Sequence, residues 1–527
     1  MTSVSAILLE PASRPKRRSR AALLQFALPL AFAAVILAIG FISNAFEYDT
    51  DEGRNLMKAM LFRHGHTLYS EVWADQPPIF TYALAGMIKF FGPSVLAPRC
   101  VVLVFSVLLL WATCSIVRSY EDDLTAALAV LFLAASGWYA KLSFSVMIGL
   151  PSMAMAVVAL CLLVHFRRTG RRLLLVLSAL AMGISLQIKV SSITALPAFL
   201  MVMFMRMPDG NGPPVRRSLV RLAIWIAIVA AFCAMIIIVS GQTFDLIIAS
   251  HRQIAREEGL KAKVQFLELM KRDPDLLLLA LVMALFIVPL FGKPRGYRLR
   301  QMLPLIWLAL PVVAVQFHAP VWYHHILLMV VPFCWSAANG MRPLMTHARR
   351  MLSGCRGRWG ETDETTYSIP SVIIVALVAG FFCYKVPSRA IRLLDGDRDT
   401  WALVQQIRTK PNTGYVLTDG LMYAYRAGVL SCPTFAAGIG KREPANRDRD
   451  AATLAELKRF RPGQVIIGRR QYGPDVMEYI LRNYKLSATE EIDTKGKNPR
   501  VFYQYIRNDL VSAQARSRFG APAPYHG

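Results

Sequence analysis

The tetrapeptide Asp49-Thr50-Asp51-Glu52 sets three carboxylates within four positions, and Glu47 adds a fourth just ahead of them. An Asp-x-Asp pair, here Asp49 and Asp51, can clamp a divalent cation. It can equally present one carboxylate as a general base while its neighbour holds an acceptor hydroxyl. A hydrated loop carries such a cluster too, so the spacing offers chemistry without requiring it. Candidate partners lie far away in the chain. Lys189 stands between two apolar blocks, where an ammonium is costly unless it snorkels to a surface or meets an anion. Arg252 and Arg256, four residues apart, make a basic helical face suited to phosphate or to lipid headgroups. The segment Phe317–His325 ends in Trp322-Tyr323-His324-His325. Adjacent histidines do not share one helix face, so these two alone do not suit zinc, but Tyr323 and His324 can hydrogen-bond a sugar or a phosphate.

The elements that must position these residues are membrane helices. Hydrophobic residues make up 55% of the 527, charged residues only 18%, and the mean hydropathy is +0.40, too apolar for a soluble chain of this length. Apolar blocks run at Ala21–Ile42, Val95–Val117, Leu124–Ala140, Val146–Val164, Leu173–Ile188 and Ser191–Met205. Leu219–Val239, Leu276–Phe291, Met302–Val315, Ile326–Ala338 and Ile369–Tyr384 follow. A span needs roughly 20 residues, so about eleven helices are expected, the shorter blocks borrowing flanking residues or tilting. Lys and Arg total 60 against 34 Asp and Glu. Basic clusters at Arg167–Arg172, Arg216–Arg221, Lys293–Arg300 and Arg342–Arg358 occupy alternate gaps, as cytoplasmic loops do, and another, Arg14–Arg20, precedes the first block. That alternation sets the N-terminus in the cytoplasm and argues against nucleic acid as the partner of a chain with net charge +26. The first block is too long for the core of a signal peptide and reads as a retained anchor. The 8 cysteines show neither paired metal spacing nor a disulfide framework.

The remaining gaps then face outward. The first, about Ser43 to Ser94, holds the acidic cluster, an amphipathic helix over Gly53–His64, the segment Trp73-Ala74-Asp75-Gln76-Pro77-Pro78 and an apolar helix over Ile79–Phe91 lying in the interface. In Asp51-Glu52-Gly53, His64-Gly65-His66-Thr67-Leu68-Tyr69, Asp75-Gln76-Pro77-Pro78 and Phe91-Gly92 this gap resembles the first external loop of GT-C glycosyltransferases. The protein-mannosyltransferase-like and lipid A aminoarabinose-transferase-like enzymes of bacteria are the nearest in pattern. The resemblance implies sugar transfer from a polyprenyl-phosphate carrier to a lipid, glycan or protein on the periplasmic face of the inner membrane, usually with inversion. It makes Asp51 the essential acid, with Glu52 and Asp49 beside it, and Asp75, Gln76, Lys189, Arg252, Arg256, Tyr323 and His324 candidates for binding substrate. No cofactor is certain; a divalent cation at Asp49 and Asp51 is the one candidate. Two departures stand out. Many relatives carry Lys before the Pro-Pro pair where this chain has Gln76. Relatives also often have an acid in the second external loop, and Phe144–Pro151 has none.

The expected fold is thus a polytopic α-helical membrane protein. A basic N-terminus (1–20) precedes the membrane domain (21–385), which is followed by a small α/β domain outside the membrane (386–511) and a flexible tail (512–527). In the α/β domain, strands are expected at Gly414–Thr418, Gln464–Gly468 and Arg500–Ile506, and helices at Asp450–Phe460 and Asp475–Tyr484. Acceptor recognition or capping of the site is the role expected of it. A transporter, or an inactive lipid-binding scaffold, is the competing class. Against transport stand the charge-free centres of the blocks and the lack of an internal repeat.

Overall fold

The computed structural model describes residues 15–40, 42, 45–205, 214–241, 301–316, 321–354, 400–437, 446–468, 472–492 and 500–511. The expected basic helix with Arg252 and Arg256, His318, the blocks Leu276–Phe291 and Ile369–Tyr384, and the tail lie outside the described residues. The helices are α1 (Pro15–Ala38), α2 (Thr50–Arg63), α3 (Ile79–Phe91), α4 (Leu96–Tyr120), α5 (Asp123–Ala135), α6 (Gly137–Leu142), α7 (Gly149–Thr169) and α8 (Arg172–Leu186). After a 3-10 turn (Val190–Ala195) come α9 (Leu196–Phe204), α10 (Val215–Ser240) and α11 (Leu303–Gln316). A second 3-10 turn (Tyr323–Ile326) leads into α12 (Leu327–Gly354).

Among the described residues, three helices, α4, α7 and α10, are long and apolar enough to cross a membrane. Their surroundings differ. Most of α4 and α7 is buried, whereas α10 buries little beyond Ser218, Trp225 and Val229 and leaves Ile226, Met235, Ile238 and Val239 exposed. An apolar face of that kind needs hydrocarbon around it. Small residues let helices approach closely, as expected in lipid. A Cβ at Gly183 of α8 would lie 2.7 Å from the Phe232 ring of α10. Serines link helices as well: Ser152 Oγ of α7 donates to the Ser185 carbonyl of α8, and Ser185 Oγ donates to the Ser152 carbonyl. The expected block Leu124–Ala140 is divided, because Ser136 is extended and the chain restarts as α6 at Gly137.

The C-terminal domain comprises α13 (Thr400–Thr409), β1 (Tyr415–Thr418), α14 (Leu421–Ala427), β2 (Leu430–Ser431), α15 (Asn446–Phe460), β3 (Gln464–Ile467), α16 (Pro474–Asn483), β4 (Tyr484–Ile492) and β5 (Arg500–Arg507). The sheet order is β2-β1-β3-β5-β4. Strands β1, β2 and β3 pair in parallel, and β5 runs antiparallel to β3 and β4. The fully buried β3 reads as an apolar run because both faces are covered. Strand β4, on the sheet edge, is mostly exposed, and its polar Ser-Ala-Thr-Glu-Glu stretch hid it from pattern reading. The domain rests on the first external loop: Ser431 N–H donates to Met57 Sδ at 3.3 Å, and Tyr425 Oη donates to the Ser94 carbonyl at 3.0 Å.

Candidate active site

The acidic segment is built around an ion pair. Glu52, in the first turn of α2, is fully buried, as is Arg99 of α4. Arg99 Nε and Nη2 donate to the two Glu52 oxygens at 3.0 and 2.8 Å, the bidentate fork that fixes orientation as well as charge. Glu52 also accepts from the backbone N–H groups of Tyr48 and Val146, each at 2.8 Å. Arg99 Nη1 donates to the carbonyls of Ile42 and Ala45. One carboxylate thereby locks the chain after α1, the acidic segment and the loop before α7. That loop is packed rather than open. Phe144 and Val146 are fully buried, Phe144 lies 4.7 Å from the Tyr48 ring, and Asn55 Nδ2 donates to the Val146 carbonyl.

Asp49 and Asp51 point elsewhere. Asp49 caps α2, its Oδ1 accepting from the Asp51 N–H at 2.9 Å, and both acids sit at the positive end of the helix dipole. Asp49 Oδ2 accepts from Tyr323 Oη at 2.7 Å. The Tyr323 ring stacks on Trp138, 4.5 Å between centroids, and Lys141 Nζ lies 4.4 Å from its centre. Burial and the nearby carboxylates raise the Tyr323 phenol, which stays a donor. Asp51 Oδ1 pairs with Arg54 Nη1 at 2.6 Å, with 32% of the Asp51 side chain exposed. Both Asp49 oxygens are engaged, Asp51 faces a guanidinium, and no three His, Cys, Asp or Glu converge among the described residues.

The rest of the first loop is held by Tyr69. Its backbone is left-handed (φ 73°), a conformation bulky residues adopt only where the surroundings enforce it. The isolated bridge of Leu68 to Val72 and the Tyr69 N–H on the Val72 carbonyl close that turn. Tyr69 Oη then donates to the Gln76 carbonyl at 2.9 Å, fixing the residue before the Pro-Pro pair. Asp75 is buried beside it. The Ile79 N–H donates to the Gln187 carbonyl, tying this loop to the chain just before Lys189. Lys189 lines a small cleft with Ser152, Ser191, Ser192, His324 and His325, and Gly149, the first residue of α7, borders it. Ser152 and Ser192 donate their hydroxyls to backbone carbonyls, so the cation, the Ser191 hydroxyl and a helix N-terminus make the setting that favours an anion.

The turn Tyr323–Ile326 therefore touches both parts. Tyr323 meets Asp49, and His324 lines the lysine cleft. Arg252 and Arg256 lie outside the described residues. Sequence reasoning passed over Arg99, Lys141 and Arg54. The first two sit in apolar stretches, where an intramembrane charge is the usual signal of a partner; Arg54 stands three residues after Asp51, a helical pairing distance.

Residues 75–238 match the family model of dolichyl-phosphate-mannose-protein mannosyltransferases. No curated protein matches the sequence. Among solved structures, ArnT from Cupriavidus metallidurans bound to undecaprenyl phosphate has a TM-score of 0.59 at 15% identity, over 90% of this chain and 97% of that chain. Its apo state gives 0.55 at 14% identity, over the same shares of the two chains. The archaeal oligosaccharyltransferase AglB from Archaeoglobus fulgidus, in complex with an inhibitory peptide and a dolichol-phosphate, gives 0.51 at 13%, over 86% and 70%. At such identities the likeness is one of fold. The family match begins at Asp75, so the acidic segment lies ahead of it. The helical membrane architecture expected from the sequence is the one observed: the chain is a membrane protein with the fold of ArnT and AglB, and its residues 75–238 match the mannosyltransferase family model.

Proposed function

We propose that this protein is an inverting glycosyltransferase of the bacterial inner membrane, moving a sugar from a polyprenyl-phosphate carrier to an acceptor on the periplasmic face. The acceptor is a lipid, a glycan or a protein. The observation that carries this reading is the turn Tyr323–Ile326, which joins the acidic edge at Asp49 to the lysine cleft. A displacement of this kind needs a base on one side of the sugar's anomeric carbon and cations on the departing phosphate on the other. Asp51 takes the proton of the acceptor hydroxyl as its oxygen bonds to the anomeric carbon. The bond from that carbon to the phosphate oxygen breaks, and polyprenyl phosphate leaves with the electron pair. Asp49, braced by Tyr323, orients the acceptor. Lys189, His324 and the Ser191 hydroxyl receive the phosphate, with Asp75 and the Gln76 segment at the loop side. Glu52 serves from within, holding the segment in register through Arg99. The ArnT structure bound to undecaprenyl phosphate supports the class of donor, and the large apolar face of α10 supports a lipid setting.

The test is transfer from radiolabelled polyprenyl-phosphate sugars to membrane acceptors, wild type against Asp51→Asn. Transfer by the wild type that disappears in the variant is the expected result. Equal transfer by both removes Asp51 from the chemistry. No transfer from any donor puts the transporter or the lipid-binding scaffold ahead.

A further inference from the structure

The acidic segment is gripped from two domains at once. Arg99 holds the Ile42 and Ala45 carbonyls from the membrane side. From the C-terminal domain, Arg426 of α14 donates through Nη2 to the carbonyls of Ala45 at 3.1 Å and Phe46 at 2.8 Å, and through Nε to Phe46 again at 3.2 Å. The Ala45 carbonyl is thus shared by two guanidiniums. The Arg426 fork also lies over the rings of Phe46 and Trp401, 4.9 and 4.8 Å from their centres, and Phe46 packs on Tyr423. Burial, with Arg99 alongside, pushes Arg426 down to about 10, and Glu52 and Glu47 offset that shift. Two arginines brought together out of water cost free energy that a simple surface tether would not incur.

The second contact is steric. Gly53 follows Glu52 in the first turn of α2, and a Cβ there would lie 2.6 Å from the Met422 backbone nitrogen and 3.1 Å from both Met422 Cα and Glu47 Oε1. The backbone of α14 therefore lies directly on the turn that carries Asp51.

We propose that the C-terminal domain is a working part of the transfer site, Arg426 and the Met422 backbone positioning residues 45–53, from which Asp49 and Asp51 project. This inference deepens the transferase reading and rests on Asp51 as base. Arg426 is a positioning residue: it touches the backbone of the acidic segment and acts through it. Displacing that backbone by as little as an ångström is enough to lower the rate of the chemical step by 10- to 100-fold on the order-of-magnitude scale for misplaced catalytic groups. Lysine is not equivalent, because a compact ammonium lacks the planar fork that donates to both carbonyls while lying over the Phe46 and Trp401 rings.

The experiment uses the full chain in nanodiscs, with tritiated mannosyl-phosphoryl-undecaprenol as donor, and compares wild type, Arg426→Gln, Arg426→Lys and Gly53→Ala. All three variants are expected to lose kcat by roughly 10- to 100-fold with donor KM within about twofold of wild type. The Arg426→Gln/Gly53→Ala double variant should be little worse than the poorer single one, since both act through one displacement. Hydrogen exchange gives a readout independent of activity. Amides of residues 47–52 should exchange about tenfold faster in Arg426→Gln, and those of β1 and β3 should not change. A normal kcat in Gly53→Ala, which leaves the domain's own sequence intact, overturns the proposal. So does full rescue by Arg426→Lys, or unchanged exchange at residues 47–52. Wild type inactive with this donor counts against the transferase reading alone, and the exchange measurement then decides the positioning.

Discussion

Asp51 keeps about a third of its side chain exposed and pairs with Arg54 of its own helix, whereas Glu52, the next residue, is fully buried and pairs with Arg99 of another helix. Two carboxylates one peptide apart thus occupy opposite settings. The cause is geometric. Successive residues of a helix point about 100° apart, so a helix lying on a packed surface turns one acid outward and its neighbour inward. The outward acid keeps access to solvent and pairs only with Arg54. The inward one has four hydrogen-bond donors and holds three segments together. A carboxylate suited to proton transfer and one suited to architecture can therefore stand side by side, provided the scaffold distinguishes them.

Breaking the inner pair is expected to have the largest effect. Arg99→Ala leaves Glu52 buried without its counter-charge and should cost about 3–5 kcal/mol, measured as thermal unfolding of the purified protein, with transfer lost in parallel. If Arg99→Ala melts like wild type, Glu52 is not the structural acid of the pair. Asp51→Asn should do the converse. A general base contributes about 10²- to 10⁴-fold, so transfer falls by that factor while the melting temperature stays put. Tyr323→Phe removes one hydrogen bond to a carboxylate, worth about 1.5–3 kcal/mol at most, and should lower transfer roughly tenfold with folding intact. Chelation sharpens the outer site further: EDTA should leave the rate unchanged, and restoration of a lost rate by a divalent cation would show that Asp49 and Asp51 bind metal after all. The smallest effect is expected from Arg54→Ala on stability, below about 1 kcal/mol, because a half-exposed i,i+3 pair is screened by water.

Several elements were readable before any coordinates. Leu56, Met57, Met60 and Leu61 share one face in sequence and are all buried in α2. Ile79–Phe91 is the helix its apolar run and Gly92 stop predict. Strands β1, β3 and β5 fall within a residue or so of expectation, since buried strands concentrate β-branched and aromatic residues. The edge strand β4 was missed for the opposite reason. Within the site, the acidic segment stood out through its residue types, but nothing in Asp49-Thr50-Asp51-Glu52 says which acid faces inward. Lys141 and Arg99 were hidden because each is a lone charge whose partners lie far off in the chain: Arg99 meets Glu52 across 47 residues, and Lys141 meets the Tyr323 ring.

The sequence by itself determined what is local or periodic: the lipid-suited helices, the alternation of basic gaps and the change of composition after the last apolar block. Those follow from composition and from side-chain spacing along a regular backbone. The tertiary structure alone decided which carboxylate is buried, which cation it meets, and that Tyr323 and Arg426 gather around residues 45–53. Such pairings depend on contacts between segments tens to hundreds of residues apart, where burial rather than spacing sets the strength of a charge.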